Sequence, residues 1–300
     1  MKMADSEWID ELSQWLELQG IPFEKTVEEL EGQILPLIYF PTKNIKLLLF
    51  DIYDWEQKPL SESYGTKLSQ LAATTGNKYI CLWQDLWYTK QALLKARIRS
   101  VLGFFTRLHA RHCVVSRIDK PLMESFFNTH HLQGSTQAKL KYGLFLKKQY
   151  IQKYLGENFP SHENALIAVA SFSGARTMKW GDRQDFRSYE LLRFASLQGY
   201  VVVGGMDKLM KAFMHENQPD DIMSYADKDW SDGRSYHVLG FRQVVDFEIA
   251  TYYWVNSKTY ERYPENRILQ QYSLEELKSQ GWIRIVNSGS LKYIKTLCKE

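Results

Sequence analysis

The chain has 300 residues, of which 44% are hydrophobic, and a formal net charge of +3 at pH 7. This length allows a sizeable core and about two domains. No apolar run approaches the roughly 18 residues that span a bilayer, and the acidic N-terminus is not the pattern of a secretory signal, so we expect no membrane association. The cysteines at 81, 113 and 298 form no metal-binding pair and indicate a reducing, cytoplasmic compartment.

The first hundred residues predict alternating helices and strands. Apolar residues at helical spacing indicate a helix over 7–19, which Gly20 ends. The elements predicted after it are a hairpin of strands 34–40 and 45–50, a helix over 68–74, a strand over 79–83 and a helix over 86–102.

Positive charge is concentrated in the last of these helices and just beyond it. Between Asp85 and Asp119 the chain has no acidic residue. Such a stretch indicates a polyanionic partner, most simply nucleic acid, and a solvated basic face is the alternative. The partner that we expect is double-stranded DNA. The residues expected to contact DNA here are Lys90, Lys95, Arg97, Arg99, Arg107 and Arg111.

Two segments of this half resemble Vsr-like and related PD-(D/E)XK nucleases: LPLIYFPTKNIKLLLFDIYDW and GNKYICLWQDLWYTKQALLKARIRSVLG. Such nucleases hold Mg²⁺ between carboxylates, because this cation prefers oxygen ligands. At the matching positions this chain has Leu37 and Leu48, and Gln84 replaces a glutamate. The resemblance therefore implies a degenerate domain that binds DNA without cutting it. The nearby carboxylates that could still form a metal site are Asp51, Asp54 and Asp85.

The second half begins with a helix near Pro121 that leads into the histidine pair of the sequence THHLQG. Strands over 139–145 and 166–172 are predicted to pair antiparallel. Two further strands, 191–195 and 200–203, precede the glycine pair Gly204-Gly205 and an amphipathic helix. Glycines between a strand and a helix allow close backbone approach to a ligand, and the helix start can hold a phosphate. A tight turn that only connects the two elements is the alternative.

This order of elements resembles the acyl-CoA-binding half of the GNAT acyltransferase fold. More narrowly, YELLRF, SYAD and GRSYHVLGF resemble the Mom family of phage DNA-modification proteins, and SFSGAR resembles a phage motif in which Arg176 faces phosphate. The resemblance implies an acyl-CoA-like donor bound by Gly204, Gly205 and Lys208. The catalytic residues it implies are His131, Asp227 and Tyr236, with a divalent metal bound by His131 and Asp227. Leu132 departs from the family, which has tyrosine there.

Toward the C-terminus, an aromatic and β-branched run predicts a strand over 247–255. Ser273 and Glu276 form a capping-box pattern that begins a short helix, and Gly281 ends it. Strands over 282–286 and 291–294 are predicted to form a closing hairpin.

The predicted fold class is therefore α/β (α+β): a degenerate PD-(D/E)XK-like domain over 1–111, a GNAT-like mixed-sheet domain over 112–262, and a helix-and-hairpin extension over 263–300. The expected function is a phage-encoded, DNA-binding, acyltransferase-like enzyme that modifies DNA bases in the bacterial host cytoplasm. The alternative is a homing-endonuclease-like protein, active or decayed, that binds or cleaves DNA without modifying bases. The joint presence of His131, Asp227 and Tyr236 favours the enzyme.

Overall fold

A computed structural model of the chain describes residues 6–157, 159–160, 162–181 and 183–297, with the side chains of 183 and 245–248 outside the description. Cys298 also lies outside the described residues. The helices are α1 (Glu7–Leu18), α2 (Ile52–Gln57), α3 (Tyr64–Thr75), α4 (Gln84–Val101), α5 (Lys120–His130), α6 (Ile151–Leu155), α7 (Gly205–Asn217), α8 (Arg234–Val238), α9 (Glu265–Ile268) and α10 (Leu274–Ser279). The strands are β1 (Glu24–Leu30), β2 (Gln33–Phe40), β3 (Ile45–Phe50), β4 (Lys78–Trp83), β5 (Thr106–His109), β6 (Cys113–Arg117), β7 (Leu140–Leu146), β8 (Ala165–Phe172), β9 (Arg176–Trp180), β10 (Arg183–Ser196), β11 (Tyr200–Val203), β12 (Asp221–Asp227), β13 (Arg242–Ile249), β14 (Tyr252–Asn256), β15 (Arg262–Pro264), β16 (Trp282–Val286) and β17 (Ser290–Thr296).

Packing divides the chain into two compact units, each built from separate segments. Unit 1 comprises Met1–Gln91, Ala226–Arg234 and Val245–Leu291, and unit 2 comprises Ala92–Tyr225, Ser235–Val244 and Lys292–Glu300. The limits of these units differ from the domain limits expected from the sequence. The predicted domains, 1–111, 112–262 and 263–300, stay a prediction.

Unit 1 contains a four-stranded sheet in the order β1-β2-β3-β4, in which β1, β2 and β3 are antiparallel neighbours and β3 and β4 are parallel. The predicted hairpin is β2 and β3, where Leu37 lies opposite Leu48. Both leucines are fully buried in an apolar core that includes Trp83. Asp51 begins α2 by accepting hydrogen bonds from the N–H groups of Tyr53 and Asp54, which satisfies donors that a helix start leaves unpaired.

A second sheet of unit 1, in the order β15-β14-β16, comes from residues far along the chain. Ile283, Ile285 and Val286 of β16 belong to the same apolar core as the four-stranded sheet. Gly65 of α3 lies directly against the backbone of Ser288, where an added Cβ would come within 1.8 Å of the Ser288 carbonyl oxygen. This close approach allows no side chain on the helix at that position.

Unit 2 contains most of a sheet in the order β13-β17-β12-β10-β8-β7-β6, and β9 pairs with β10 beside this order. β7 and β8 pair antiparallel, as predicted. Helix α5 packs Met123, Phe126 and Phe127 against Val169 and Ala195 of the sheet.

Helix α7 contributes the second aromatic contact of this sheet. Phe213 stacks on Phe172 at 3.9 Å between ring centroids, and the edges of Tyr142 and Tyr189 complete the cluster. Burying an aromatic ring of this size contributes about 1.5–3 kcal/mol, so this cluster holds α7 firmly on the strands.

The observed architecture confirms the mixed α/β class and several local predictions, including the capping box of Ser273 and Glu276 at the start of α10. The predicted closing hairpin is wrong. β16 pairs with β14, whereas β17 joins the sheet with β12 and β13, because Asn287, Ser288 and Gly289 form hydrogen bonds within unit 1 and do not make a hairpin turn. Among the helices of the described residues, none has the length and apolar character needed to cross a membrane.

Candidate functional site

The central feature of unit 2 is a fork between two parallel strands, β10 and β12. Their described ladder has three pairs and ends at Glu190 and Met223. Immediately after this pair, β10 carries a register shift between Leu191 and Arg193 relative to β8. A bulge of this kind bends a strand and increases its twist, which separates β10 from β12. At the point of separation the Ser224 hydroxyl donates a hydrogen bond to the Leu191 carbonyl at 2.9 Å.

Tyr236, a predicted site residue, projects from α8 to this fork. Its hydroxyl oxygen lies 3.0 Å from the Ser224 hydroxyl oxygen and 3.3 Å from the Tyr225 carbonyl oxygen, and its single hydrogen is shared between these two acceptors. Because the Ser224 hydrogen is directed to Leu191, the Ser224 oxygen is free to accept from Tyr236. The ring stacks on Tyr293 at 4.9 Å. Burial raises the pKa of Tyr236 above its usual value, so the hydroxyl keeps its proton at neutral pH.

The predicted glycine pair lies between β11 and α7, as expected. Gly204 has φ +74°, in the left-handed region that glycine adopts without strain, and it occupies the N-cap of α7 without a side-chain cap. A Cβ at Gly205 would lie 2.9 Å from the Val202 Cβ, so packing also requires glycine there. The first-turn N–H groups of α7 have no acceptors within the helix and form a site of positive potential.

A cavity of about 610 Å³ in unit 2 opens against this helix start. Its walls come from five parts of the unit: α4, the end of α5, the segment from 194 to 202, the start of α7, and α8. The side chains and glycines that define these walls are Leu93, Ala96, Arg97, Ser100, His130, His131, Phe194, Gly204, Gly205, Met206, Asp207, Ser235, Val238 and Leu239. The structure thus brings His131 together with the glycine pair, and α8, which carries Tyr236, forms another wall.

His131 caps the C-terminus of α5, and its Nδ1 accepts a hydrogen bond from the Gln133 N–H at 3.2 Å. That nitrogen is therefore already used as an acceptor in the turn that follows α5. Burial lowers the pKa of the adjacent His130, whose Nδ1 has no hydrogen-bond partner within the described residues. Both rings lie in the wall of the cavity.

Asp227 belongs to unit 1, and one oxygen of its carboxylate accepts a hydrogen bond from the Asp229 N–H at 3.0 Å. Its pairing with His131 stays a prediction. Throughout the part of the chain that the structure describes, no three His, Cys, Asp or Glu side chains gather as a metal site. The Nδ1 of His131 already accepts a hydrogen bond. The predicted ligands His131 and Asp227 therefore do not fit a divalent metal.

Lys208, expected to contact the donor, directs its ammonium to the carbonyls of Ala110 and Cys113 at 2.9 and 2.6 Å. These contacts anchor α7 to the segment that leads into β6 and to the first residue of β6. The role of Lys208 in cofactor binding stays a prediction. The first turn of α7 also carries Asp207, which is paired with Lys211 at 2.7 Å.

The residues expected to contact DNA fall into two groups by exposure. Arg107, Arg111 and Arg176 are exposed, whereas Lys90, Lys95, Arg97 and Arg99 are half-buried. Burial lowers the pKa of Lys90, which lies at a kink in α4 with φ −138°. Arg97 lines the cavity of unit 2, so its position suits an anion inside that cavity better than a DNA surface.

Glu190 is a site candidate that the sequence did not indicate. It occupies the last paired position of β10 before the fork and is half-buried. Burial raises the pKa of Glu190, against the opposing charges of Arg176 and Arg193. A carboxylate with a raised pKa at the point where two strands separate is a candidate proton acceptor. The sequence signal was an acidic residue next to the apolar run that begins at Leu191.

The nuclease-like positions of unit 1 are occupied by structural contacts. Asp85 forms a buried bidentate ion pair with Arg262, with two contacts of 2.6 Å. Gln84 accepts a hydrogen bond from the Ile52 N–H at 3.2 Å. Asp51 and Asp54 share a cavity of about 260 Å³, and burial and the neighbouring Asp51 charge raise the pKa of Asp54.

No family model matches the chain, and no curated protein matches it. The NatC complex bound to Gag peptide and CoA resembles it at 11% identity and a TM-score of 0.33, over 62% of this chain and 99% of that one. Arabidopsis thaliana NAA60 in complex with acetyl-CoA gives 8% identity and a TM-score of 0.35 over 62% and 99%. The KacTA-DNA complex gives 18% identity and a TM-score of 0.29 over 53% and 96%. Similarities this low establish neither the family nor the function of the chain.

Proposed function

We propose that unit 2 is a GNAT-like, Mom-like acyltransferase that takes an acyl group from a CoA-type donor and transfers it to a base of DNA. The observation that supports this proposal is the fork of β10 and β12, flanked by the glycine-capped start of α7 and by the protonated hydroxyl of Tyr236. In the GNAT fold that the sequence resembles, an acyl-CoA lies between two separating parallel strands. The same order of strand, glycine turn, helix and strand is present here.

The cavity fits the chemical parts of such a donor. The uncapped start of α7 offers N–H groups to a pyrophosphate, and Arg97 adds a positive charge in the cavity wall. Apolar side chains such as Leu93, Phe194 and Leu239 suit the uncharged arm that follows the pyrophosphate in a CoA molecule. When bound, the donor supplies a thioester carbonyl that is activated toward attack by an amine.

The residues at the fork can handle the two protons that such a transfer moves. Glu190, whose pKa is raised by burial, accepts a proton from the attacking amine. Tyr236 retains its proton at neutral pH and can donate it to the departing thiolate. Ser224 joins these positions, since its hydroxyl contacts both Tyr236 and the carbonyl of Leu191, the neighbour of Glu190.

For residues 1–111 we propose a nuclease-like domain that binds DNA without cutting it. Its order of α1, three antiparallel strands, two helices and a parallel fourth strand supports the PD-(D/E)XK resemblance. Leu37 and Leu48 are packed into the core, where they cannot coordinate Mg²⁺. The whole protein would then act on DNA in a phage-infected bacterial cell.

A second candidate function is metal-dependent cleavage, which the shared cavity of Asp51 and Asp54 favours. Two carboxylates in one cavity can be brought together by a divalent cation. Nicking of supercoiled plasmid in Mg²⁺ that is lost in Asp54→Asn would support this candidate. We expect no nicking, because both Asp51 oxygens already accept hydrogen bonds, including those from Trp8 and Ser6.

Calorimetric titration with acetyl-CoA tests the donor site. Met206→Glu adds a carboxylate to the first turn of α7, where the helix dipole stabilises it, so the fold is retained. The new charge should repel a pyrophosphate and weaken binding at least about ten-fold, whereas the neutral Met206→Gln should bind as the wild type does. Failure of the wild type to bind acetyl-CoA or CoA would overturn the proposal.

A further inference from the structure

The strand β9 and the first part of β10 form a two-stranded ribbon beside the fork of β10 and β12 in unit 2. Among the described residues, β9 pairs with β10 and with no other strand. All five residues of β9 are exposed, although a strand that packed on a core would bury alternate residues. Within the described part of the chain, β9 therefore buries neither of its faces in a core.

The exposed side chains of the ribbon combine positive charge with aromatic surface. Arg176 and Lys179 are exposed, and Trp180 is 64% exposed while one face of its indole stacks on Phe186 at 5.4 Å. Over 176–187 the sequence carries four basic and two acidic residues. Basic side chains next to an exposed indole fit a partner that offers phosphates and apolar or aromatic surface together, which is the chemistry of nucleic acid.

The base of the ribbon is held rigidly. The Arg187 N–H donates to the Asp220 carboxylate at 2.8 Å, and its guanidinium donates to the Gln218 carbonyl after the end of α7. Phe186 is buried beside this anchor. The residues that follow along β10, from Ser188 to Glu190, pair with β12. Arg176, at the other side of the base, is close enough to Glu190 for its charge to lower the pKa of that carboxyl.

We propose that this ribbon binds in a groove of duplex DNA and thereby places a base at the fork. The inference rests on the proposed function of unit 2 and extends it by assigning the acceptor to one surface. The major groove of B-DNA admits a two-stranded ribbon, and cations along its edges contact the flanking phosphates. The end of the ribbon that is anchored next to Glu190 fixes the distance between the DNA groove bound by the ribbon and the fork of β10 and β12.

Fluorescence anisotropy with a fluorescein-labelled duplex, without acyl donor, tests this inference on the full chain. Lys179→Ala should weaken binding several-fold and lower the salt dependence of log K by about 0.9, the value of one phosphate contact. Trp180→Ala should weaken it several-fold by removing apolar contact with the groove, and Trp180→Phe should restore most of the loss. The matched control is Lys120→Ala, which removes an exposed lysine of α5 that pairs with Glu124 and should leave affinity unchanged.

Equal affinities for Lys179→Ala and Lys120→Ala, or no binding by the wild type, would overturn the inference. So would a single-stranded RNA that competes more strongly than the duplex.

Calorimetry with acetyl-CoA on the same variants separates the two proposals. Ribbon variants that bind acetyl-CoA normally but lose DNA support the ribbon, and a wild type that binds DNA through the ribbon but no acetyl-CoA would reject only the donor site.

Discussion

The hydrogen bonds of Ser224 at the fork give a quantitative prediction. Ser224 is 2% exposed, and its hydroxyl contacts the Leu191 carbonyl at 2.9 Å and the Tyr236 hydroxyl at 3.0 Å. Ser224→Ala removes a donor from one buried group and an acceptor from the other. Leaving a buried polar group without its partner costs about 1–3 kcal/mol. Since Tyr236 keeps the Tyr225 carbonyl as a second acceptor, we expect a loss of about 2 kcal/mol in the free energy of unfolding.

A double-mutant cycle isolates the contact between the two hydroxyls. Tyr236→Phe keeps the stacking on Tyr293 and should cost about 1 kcal/mol. The double variant should then lose less than the sum of the single variants by about 1 kcal/mol. Urea unfolding of the four proteins measures these values, with the exposed Ser125→Ala as a control expected within about 0.5 kcal/mol of wild type. Additivity within about 0.3 kcal/mol would refute the reasoning, because it would show that Ser224 does not hold Tyr236.

Three further predictions concern packing, pH dependence and catalysis. Gly65→Ala should destabilise unit 1 by about 3 kcal/mol or more in urea unfolding, because the new Cβ meets the Ser288 carbonyl oxygen at 1.8 Å; a loss below about 1 kcal/mol would contradict this packing. Burial and the charge of Asp227 raise the pKa of Asp229 from 3.8 to about 7. The folded state therefore keeps a proton that the unfolded state releases, so its contribution to stability is complete below pH 3.8 and is lost as the pH rises through about 7. Stability measured between these limits should fall with pH in the wild type and be flatter in Asp229→Asn, and equal slopes would argue against it. Glu190→Gln should abolish acyl transfer and leave acetyl-CoA binding unchanged in calorimetry. Acyl transfer by the wild type should fall as the pH drops through the pKa of Glu190, which lies above 4.5. A fully active Glu190→Gln would remove this residue from the mechanism.

The elements that the sequence predicted well are those determined by neighbouring residues. Helix α1 follows from apolar spacing, the start of α10 from the capping box of Ser273, and the turn before α7 from Gly204. β1 was missed because EKTVEEL carries three glutamates and its residues are mostly exposed, so it lacks the apolar signal of a strand. Its position is determined by its pairing with β2.

The division into units was beyond the sequence because it depends on contacts between distant segments. Residues 245–291 join unit 1 through contacts such as that of Gly65 with Ser288. Ser224 and Glu190 acquire their roles from the pairing of β10 with β12 and from burial, neither of which a local pattern shows. In the same way, only the folded structure shows that the Lys208 ammonium is used to anchor α7.

Mass spectrometry of nucleosides tests the central claim most directly. DNA from bacteria that express the wild-type protein is digested to nucleosides and compared with DNA from cells that express Tyr236→Phe or Glu190→Gln. The account predicts a nucleoside whose mass is increased by one acyl group in the wild type, and a strong reduction of that nucleoside in both variants. Only unmodified nucleosides in DNA from cells with soluble wild-type protein that binds both acetyl-CoA and duplex DNA would contradict it.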